Sequence, residues 1–238
     1  MITVFPAKSI ITMNASMPRA EAVAVRDGKI LETGTLESLQ PWLGKHDHKI
    51  DEQFQNSFIV PGLIDPHLHP SMAAVLLPTY FITAMEWKMP WGTTPATRSP
   101  AEYDERLKEA ISKPTHGELF ITWGHHNLWH GPISRSRLNS IDSKTPIVVW
   151  NRSFHEVCMN DAALELLEIK EADVANATQI DFEKGRFYEI GLGYAIQKLN
   201  PYILAPEVFK EGLLKLKEVV HFGGQTTIAD MAVGLFDF

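Results

Sequence analysis

Hydrophobic and polar positions follow two patterns along the chain, and the change falls between residues 60 and 70. Before it, AEAVAVRDGKILETG alternates apolar and polar residues on both sides of Asp27 and Gly28, which predicts two strands joined by a tight turn. The runs SIITMN and NSFIVPGLI predict further strands. Residues 1–60 are therefore expected to form a small antiparallel β unit that needs strands from elsewhere to be stable.

After Pro70 the pattern predicts helices that alternate with buried strands. Ser99 and Asn160 are expected to cap two of the helices, with Pro100 at the first helical position of one of them. The predicted helices are 99–112, 134–141, 160–169 and 205–224, and the predicted strands are 59–65, 118–124, 145–150 and 225–233. This alternation favours βα units and a parallel sheet, and thus the α/β class.

Two histidines lie at the end of the first of these strands, in the segment VPGLIDPHLHP. Side chains two residues apart on a strand point the same way, so His67 and His69 would face one space and share one metal ion. Asp65 lies two residues earlier on the same side, where a carboxylate can orient a ligand imidazole from outside the ligand shell. The alternative is a pair of ordinary surface or core histidines.

The composition of the chain excludes several classes of function. The chain has 238 residues, 45% of them hydrophobic, and 22 basic against 29 acidic residues give a net charge of −7. This balance argues against binding to nucleic acid or to an anionic membrane. No apolar run is long enough to span a bilayer, and the N-terminus lacks the features of a signal peptide. Cys158 is the single cysteine, so an internal disulfide is excluded. A cytoplasmic protein is expected.

Several segments together resemble a known family. AVAVRDGKILETG followed by FIVPGLIDPHLHP resembles the opening of the amidohydrolase superfamily. The segments WGHHNLWHGPISRSRLNSI, TPIVVWNRSFHEVCMNDAAL, GRFYE and GGQTTIADMAV resemble its amidohydrolase-3 branch, which includes hydrolases of N-acyl and N-formyl amides. The resemblance implies part of a small β-sandwich over 1–60. Over 61–238 it implies the first half of a (β/α)8 TIM-like barrel, with an insertion around 71–117.

The resemblance also implies site residues. His67 and His69 become ligands of a divalent metal, most simply zinc, and His155 becomes a catalytic residue that touches the substrate or stabilises a tetrahedral oxyanion. Glu189 becomes a candidate for the metal or the pocket. The alternatives are a hydrogen-bonded histidine beside a helix start for His155 and a solvated carboxylate for Glu189. Cys158 is expected to be a small buried apolar residue rather than a nucleophile.

The histidine-rich segment after the strand 118–124 suggests a substrate wall. Loops at the carboxyl ends of barrel strands often line a site, so His125, His126 and Trp129 are assigned to substrate binding. His126 and His130 are four residues apart, which suggests a second metal site. However, Gly124 and the Gly131–Pro132 pair make a helix that presents both histidines unfavourable.

The function implied is that of a metal-dependent hydrolase acting on carbon–nitrogen bonds other than peptide bonds, with a small-molecule amide as substrate. A divalent ion makes water a usable nucleophile at neutral pH. The family's later histidines and its aspartate have no counterpart in these 238 residues, so the missing half of the barrel is expected in the full-length protein. The chain alone is therefore expected to be inactive. The competing hypothesis is a truncated, non-catalytic fragment or pseudoenzyme with at most weak metal binding.

Overall fold

A five-stranded sheet is the main feature of the first of the two units into which the chain divides, Met1–Ile64 and Asp65–Phe238. The structure is a computed structural model and describes residues 1–113 and 117–231. The strands of this sheet are β1 (Ile2–Ile11), β2 (Arg19–Arg26), β3 (Lys29–Gly34), β4 (His48–Ile50) and β5 (Phe58–Ile59). The unit also contains the short helix α1 (Gln40–Leu43) and one 3-10 turn (Glu52–Phe54).

The sheet of the first unit is mixed rather than antiparallel. Its order is β3-β2-β1-β4, and β5 also pairs with β1. The predicted hairpin is confirmed: β2 and β3 are antiparallel, and Asp27 and Gly28 have positive φ values of 51° and 73° as a hairpin turn requires. The prediction of an all-antiparallel unit is wrong, because β4 and β5 run parallel to β1. Both are only two or three residues long, too short to show alternation.

The helices and strands that follow belong to the second unit, except that the first two residues of β6 lie before its start. The strands are β6 (Leu63–Leu68), β7 (Tyr80–Phe81), β8 (Trp87–Met89), β9 (Gly92–Thr94), β10 (Phe120–His125), β11 (Ile147–Asn151), β12 (Glu156–Met159), β13 (Ile180–Asp181), β14 (Arg186–Tyr188) and β15 (Gln225–Asp230). The helices are α2 (Pro70–Leu76), α3 (Pro100–Ile111), α4 (Asn127–His130), α5 (Arg135–Ile141), α6 (Asp161–Leu166), α7 (Glu171–Val174), α8 (Ile190–Ile203) and α9 (Pro206–Phe222). Residues 232–233 of the predicted last strand lie outside the described residues, as does part of the predicted insertion at 114–116.

A six-stranded sheet with the order β13-β14-β12-β11-β10-β7 organises the second unit. β7, β10 and β11 are parallel, whereas β12, β14 and β13 continue the sheet in antiparallel fashion. The α/β class is thus confirmed, and so is the parallel pairing of the two central predicted strands. The four predicted strands do not form one sheet, however, because β6 pairs with β15 in a separate two-stranded sheet within the described residues.

Both faces of the six-stranded sheet are covered by apolar side chains. Along β11, Ile147 and Val149 pack in one core cluster with Tyr103 and Leu107 of α3. Val148 and Trp150 point the other way into a second cluster, which includes residues of α8. This two-sided burial explains why the strand reads IVVW without polar residues, since a strand covered on both faces needs no hydrophilic side.

The predicted helix starts are confirmed where a side chain caps the backbone. Ser99 accepts a hydrogen bond from the Glu102 amide at 3.2 Å, with Pro100 in the first turn of α3. Asn160 accepts from the amides of Ala163 and Ile147, both at 2.9 Å, and is fully buried. α6 ends at Leu166, earlier than predicted, because Glu168 turns to a φ of 52°.

Of the two C-terminal helices, the sequence predicts α9 but not α8. The sequence of α8 contains two glycines and Pro201, residue types that argue against a helix. The helix nevertheless forms and buries Leu192, Ala195, Leu199 and Ile203. In α9, Leu213 is exposed, while Gly212 is buried. A Cβ atom at Gly212 would lie 1.9 Å from the carbonyl oxygen of Ala74 in α2. This glycine therefore allows α2 and α9 to cross at close range.

Candidate functional site

His67 and His69 lie side by side at the carboxyl end of β6. Their ring centroids are 5.0 Å apart, with the rings almost perpendicular. His67 belongs to the strand and is exposed, whereas His69 is half-buried and occupies the N-cap position of α2. The two-residue spacing thus brings both rings to one location, as period two on a strand requires.

One nitrogen of this pair has no partner within the protein. Nδ1 of His69 is buried and makes no hydrogen bond among the described residues. A buried polar atom without a partner destabilises the fold unless something else contacts it. A metal ion that accepts imidazole ligands fits this arrangement, since two neighbouring rings supply nitrogen donors of the type that zinc and other transition metals prefer.

Asp65 contacts the backbone of the histidine segment, and its predicted role beside the ligand imidazoles stays a prediction. Its Oδ1 accepts a hydrogen bond from the backbone amide of His67 at 3.1 Å, which fixes the turn of the chain before the two histidines. In the described part of the chain, no cluster of three or more His, Cys, Asp or Glu side chains is placed to hold a metal ion. The histidine pair is thus half of a typical metal-ligand set.

Most of the other predicted site residues lie at or just after the carboxyl ends of β10 and β11, whereas Glu189 follows β14. Gly124 forms a bulge in β10 and has a φ of 110°. Its backbone lies so close to the segment after β7 that a Cβ would be 2.7 Å from the Ile82 carbonyl oxygen. Beyond the bulge, the Arg152 amide donates to the His125 carbonyl at 2.9 Å. The segments that follow the two strands are therefore held next to each other.

His125 is a core residue in this structure. It is only 1% exposed, its Nε2 donates to the Gly131 carbonyl at 3.1 Å, and its ring packs edge-on to Tyr103. Burial, with a smaller contribution from the nearby His130, lowers its pKa to about 3, so the ring is neutral at physiological pH. The contacts of His125 named above are all with other residues of the protein interior. Its assignment to a substrate wall stays a prediction.

His130 is engaged at both ring nitrogens. Nδ1 accepts from the His126 amide at 3.1 Å and Nε2 donates to the Thr97 carbonyl at 2.9 Å. Burial lowers its pKa, and the ring stacks on Tyr103. Both nitrogens of His130 are therefore occupied by protein groups, so His130 has none free to share a second metal ion with His126.

His126 and Trp129 meet at a small cavity, which we name the strand-end cavity. Its volume is about 70 Å³, and it is lined by residues 83–85, Trp87, His126, Trp129 and Arg152. Nδ1 of His126 accepts from the Leu128 amide at 3.2 Å and thereby caps α4. In the neutral ring the proton therefore resides on Nε2, which can act as a hydrogen-bond donor.

His155 and Glu189 are in direct contact. Nδ1 of His155 lies 3.0 Å from Oε2 of Glu189, and the Glu189 amide donates to the His155 carbonyl at the same distance. His155 belongs to the turn after β11, while Glu189 stands at the N-cap of α8 with a φ of 48°. Both side chains are more than half exposed. Two residues predicted separately therefore form one pair.

Sequence reasoning missed two residues near these positions. Arg152 directly follows β11, and Trp87 begins the β8–β9 hairpin. Both line the strand-end cavity. Arg152 was detectable, since it is the first cation after a buried strand, whereas nothing local marks Trp87. Cys158 is buried, and burial raises its pKa to about 12, which agrees with the prediction of an unreactive thiol.

The fold resembles part of two solved structures that are described as uncharacterized metal-dependent hydrolases. An uncharacterized metal-dependent hydrolase from Pyrococcus horikoshii matches with a TM-score of 0.72 and 20% identity, over 98% of this chain and 43% of its own. A similar protein from Pyrococcus furiosus matches with a TM-score of 0.70 and 19% identity, over 98% and 45%. At this identity the likeness is one of fold.

Two curated proteins are similar in sequence. Protein LONG AFTER FAR-RED 3 of Arabidopsis thaliana is 22% identical over 94% of this chain and 37% of its own length. Exoenzymes regulatory protein AepA of Pectobacterium carotovorum subsp. carotovorum is 23% identical over 70% of this chain and 34% of its own length. The chain thus spans little more than a third of these relatives. No protein family profile matches it. Among the described residues, no helix is both long and apolar enough to cross a lipid bilayer.

Proposed function

We propose that this chain is the N-terminal portion of a metal-dependent amidohydrolase of the amidohydrolase-3 type, which hydrolyses amide C–N bonds other than peptide bonds. The observation that carries the proposal is the His67–His69 pair with the unpartnered, buried Nδ1 of His69. The fold shared with metal-dependent hydrolases adds support. The architecture that goes with this proposal is a partial β-sandwich followed along the chain by the first half of a TIM-like barrel.

In this proposal His67 and His69 hold a divalent ion, with zinc as the first candidate. Such an ion, when bound, polarises the scissile carbonyl and activates water for attack. A catalytic zinc usually has three protein ligands, so the remaining ligands would come from the part of the longer protein beyond this chain. Asp65 sets the turn that presents the two rings.

His155 would act on the substrate through the nitrogen that faces away from Glu189. With Nδ1–H donating to the Glu189 carboxylate, the ring is held in a single orientation. In its doubly protonated form it presents Nε2–H as a donor to the oxygen on which negative charge develops during amide cleavage. Glu189 is then a positioning residue rather than a metal ligand.

A non-catalytic protein is the second candidate. The observation that favours it is the absence of a third nearby metal-ligating side chain in the described residues. Under this hypothesis the histidine pair binds metal weakly and no turnover occurs in the full-length protein.

The test compares metal content and turnover in the purified full-length protein. The His67→Ala and His69→Ala variants are expected to lose bound divalent metal and the hydrolysis of N-acetyl and N-formyl amides, and His46→Ala serves as a control on an exposed histidine. Metal is quantified by mass spectrometry before and after treatment with a chelator and re-addition of zinc. Unchanged metal content in both variants would refute the metal site. Metal-free wild-type protein without turnover would establish the non-catalytic alternative.

A further inference from the structure

The strand-end cavity lies at the edge of the sheet where parallel α/β proteins bind their ligands. Residues 83–85 follow β7, His126 and Trp129 follow β10, and Arg152 follows β11. These three strands are adjacent and parallel, so their carboxyl ends meet at this one cavity. Ligands of open parallel sheets bind outside the carboxyl ends of the strands. A larger cavity, of about 340 Å³, includes residues 117–121 at the opposite end of β10.

The polar groups that line the strand-end cavity include two uncommitted donors. The guanidinium of Arg152 makes no hydrogen bond or ion pair with any described residue, although its backbone is anchored to His125. His126 has its Nδ1 occupied by the Leu128 amide, which leaves Nε2–H as a second donor. The Thr83 hydroxyl donates to the Met85 carbonyl at 2.6 Å. No Asp or Glu lines the cavity.

Two indole rings contribute apolar lining to the same cavity. Trp87 packs edge-on to Trp123, with ring centroids 5.4 Å apart, and is thereby anchored to the core of the sheet. Trp129 is 43% exposed, although large aromatic side chains are usually more buried. Arg152 itself is exposed to solvent, so its guanidinium is accessible to an anionic ligand that enters the cavity.

We propose that the strand-end cavity binds the carboxylate of a small-molecule ligand, held by the Arg152 guanidinium and the His126 Nε2–H between Trp87 and Trp129. A planar guanidinium matches the two oxygens of a carboxylate in a bidentate geometry. A cavity of about 70 Å³ accommodates a carboxylate group, since about 10–15 Å³ on the same measure holds one water molecule. The assignment of this carboxylate to an amide substrate, such as an N-acyl amino acid, rests on the proposed function. The binding of a carboxylate by the strand-end cavity does not depend on the proposed function.

The experiment is a calorimetric titration of the full-length protein with N-acetylglycine and with N-acetylglycinamide, which differ in the carboxylate alone. Wild-type protein is expected to bind N-acetylglycine at least about tenfold more tightly, the magnitude typical of a charge-assisted hydrogen-bond pair. Arg152→Gln is expected to abolish this preference, and Arg152→Lys to retain part of it because the charge remains without the planar fork. Arg26→Gln, which removes the same charge outside the cavity, is the matched control.

Equal affinity for the two compounds, no measurable binding of N-acetylglycine at millimolar concentration, or an unchanged preference in Arg152→Gln would overturn the inference. Thermal melting of each variant shows whether it is folded. If Arg152→Gln does not fold, the test is made with Arg152→Lys, which must fold and must show a weaker preference for the carboxylate compound than the wild type. A repeat after chelator treatment separates this inference from the proposed function. A carboxylate preference that survives in metal-free protein supports the cavity, whereas one that disappears with the metal places the carboxylate on the ion and refutes it. A carboxylate preference in a protein that hydrolyses none of the N-acetyl and N-formyl amides tested would refute the proposed function alone.

Discussion

The imidazole of His155 and the carboxylate of Glu189 are hydrogen-bonded at 3.0 Å, although the two residues are 34 positions apart in the chain. One follows the central strand β11 and the other begins α8. The contact is reinforced by the backbone bond from the Glu189 amide to the His155 carbonyl. Because both a side-chain and a backbone hydrogen bond join the two residues, the pair can hold the imidazole in one orientation.

This contact predicts that the two residues act as one unit in catalysis. His155→Gln and Glu189→Gln are each expected to lower kcat/KM for an N-acyl amide, and the double variant is expected to lose no more than the worse of the two single variants. The measurement is a double-mutant cycle on the full-length protein, with the melting temperature as a control for folding. Strictly additive losses would show that the pair does not work together.

The crossing of α2 and α9 predicts a glycine requirement. Gly212→Ala is expected to destabilise the protein by about 1–3 kcal/mol, because the new methyl group would collide with the Ala74 carbonyl and push the helices apart. Gly193→Ala in α8 is the matched control. A Cβ there has no neighbour within 4 Å, so this change is expected to stabilise the helix by roughly 0.5–1 kcal/mol. Urea unfolding measures both, and equal effects of the two substitutions would contradict the close crossing.

The buried His125 predicts a pH-dependent stability. Its pKa is lowered from 6.5 to about 3 in the folded protein, so below pH 6.5 the unfolded chain binds a proton that the folded one excludes. The stability contributed by the neutral ring is thus complete above pH 6.5 and is lost as the pH falls towards 3. Between pH 7 and pH 5 this amounts to a loss of about 2 kcal/mol.

The His125→Gln variant isolates this contribution. Its amide can still donate to the Gly131 carbonyl but does not titrate, so the free energy of unfolding is expected to fall less between pH 7 and pH 5 than in the wild type. Carboxylates that titrate over the same range affect both proteins alike. Identical pH profiles for the two proteins would mean that His125 is accessible to protons in the folded state.

The exposed apolar side chains of the second unit predict the behaviour of residues 1–238 made alone. Leu214 and Phe222 of α9 are 53% and 66% exposed, and Ile228 of β15 is 37% exposed. Such a surface favours association. The isolated chain is expected to self-associate and to show no amide hydrolysis, since its described residues place no third metal-ligating side chain beside the histidine pair.

A pair of substitutions tests this surface in the isolated chain. Leu214→Lys combined with Phe222→Lys is expected to shift the chain towards monomer in size-exclusion chromatography with light scattering. Leu128→Lys, at a leucine that is 79% exposed outside α9, is the control and is expected to have no such effect. A monomeric wild-type chain with metal-dependent turnover would contradict the prediction entirely.

Local sequence alone determined the features that depend on neighbours within a few residues. The side-by-side placement of His67 and His69 follows from the period of a strand, and the Asp27–Gly28 turn follows from the φ angles that these residue types tolerate. The caps at Ser99 and Asn160 follow from side chains that reach amides two or three residues ahead. For the same reason the α/β class could be predicted from the alternation of strand and helix patterns.

Tertiary structure alone decided which distant segments meet. The pairing of β6 with β15 instead of with the six-stranded sheet, the His155–Glu189 contact and the meeting of Trp87 with Arg152 at the strand-end cavity all join residues far apart in the chain. Strand edges offer the same N–H and C=O groups whatever their side chains, so backbone pairing carries little sequence information of its own. The choice of partners is made by the burial of apolar faces in the whole unit, which no short segment of this sequence encodes.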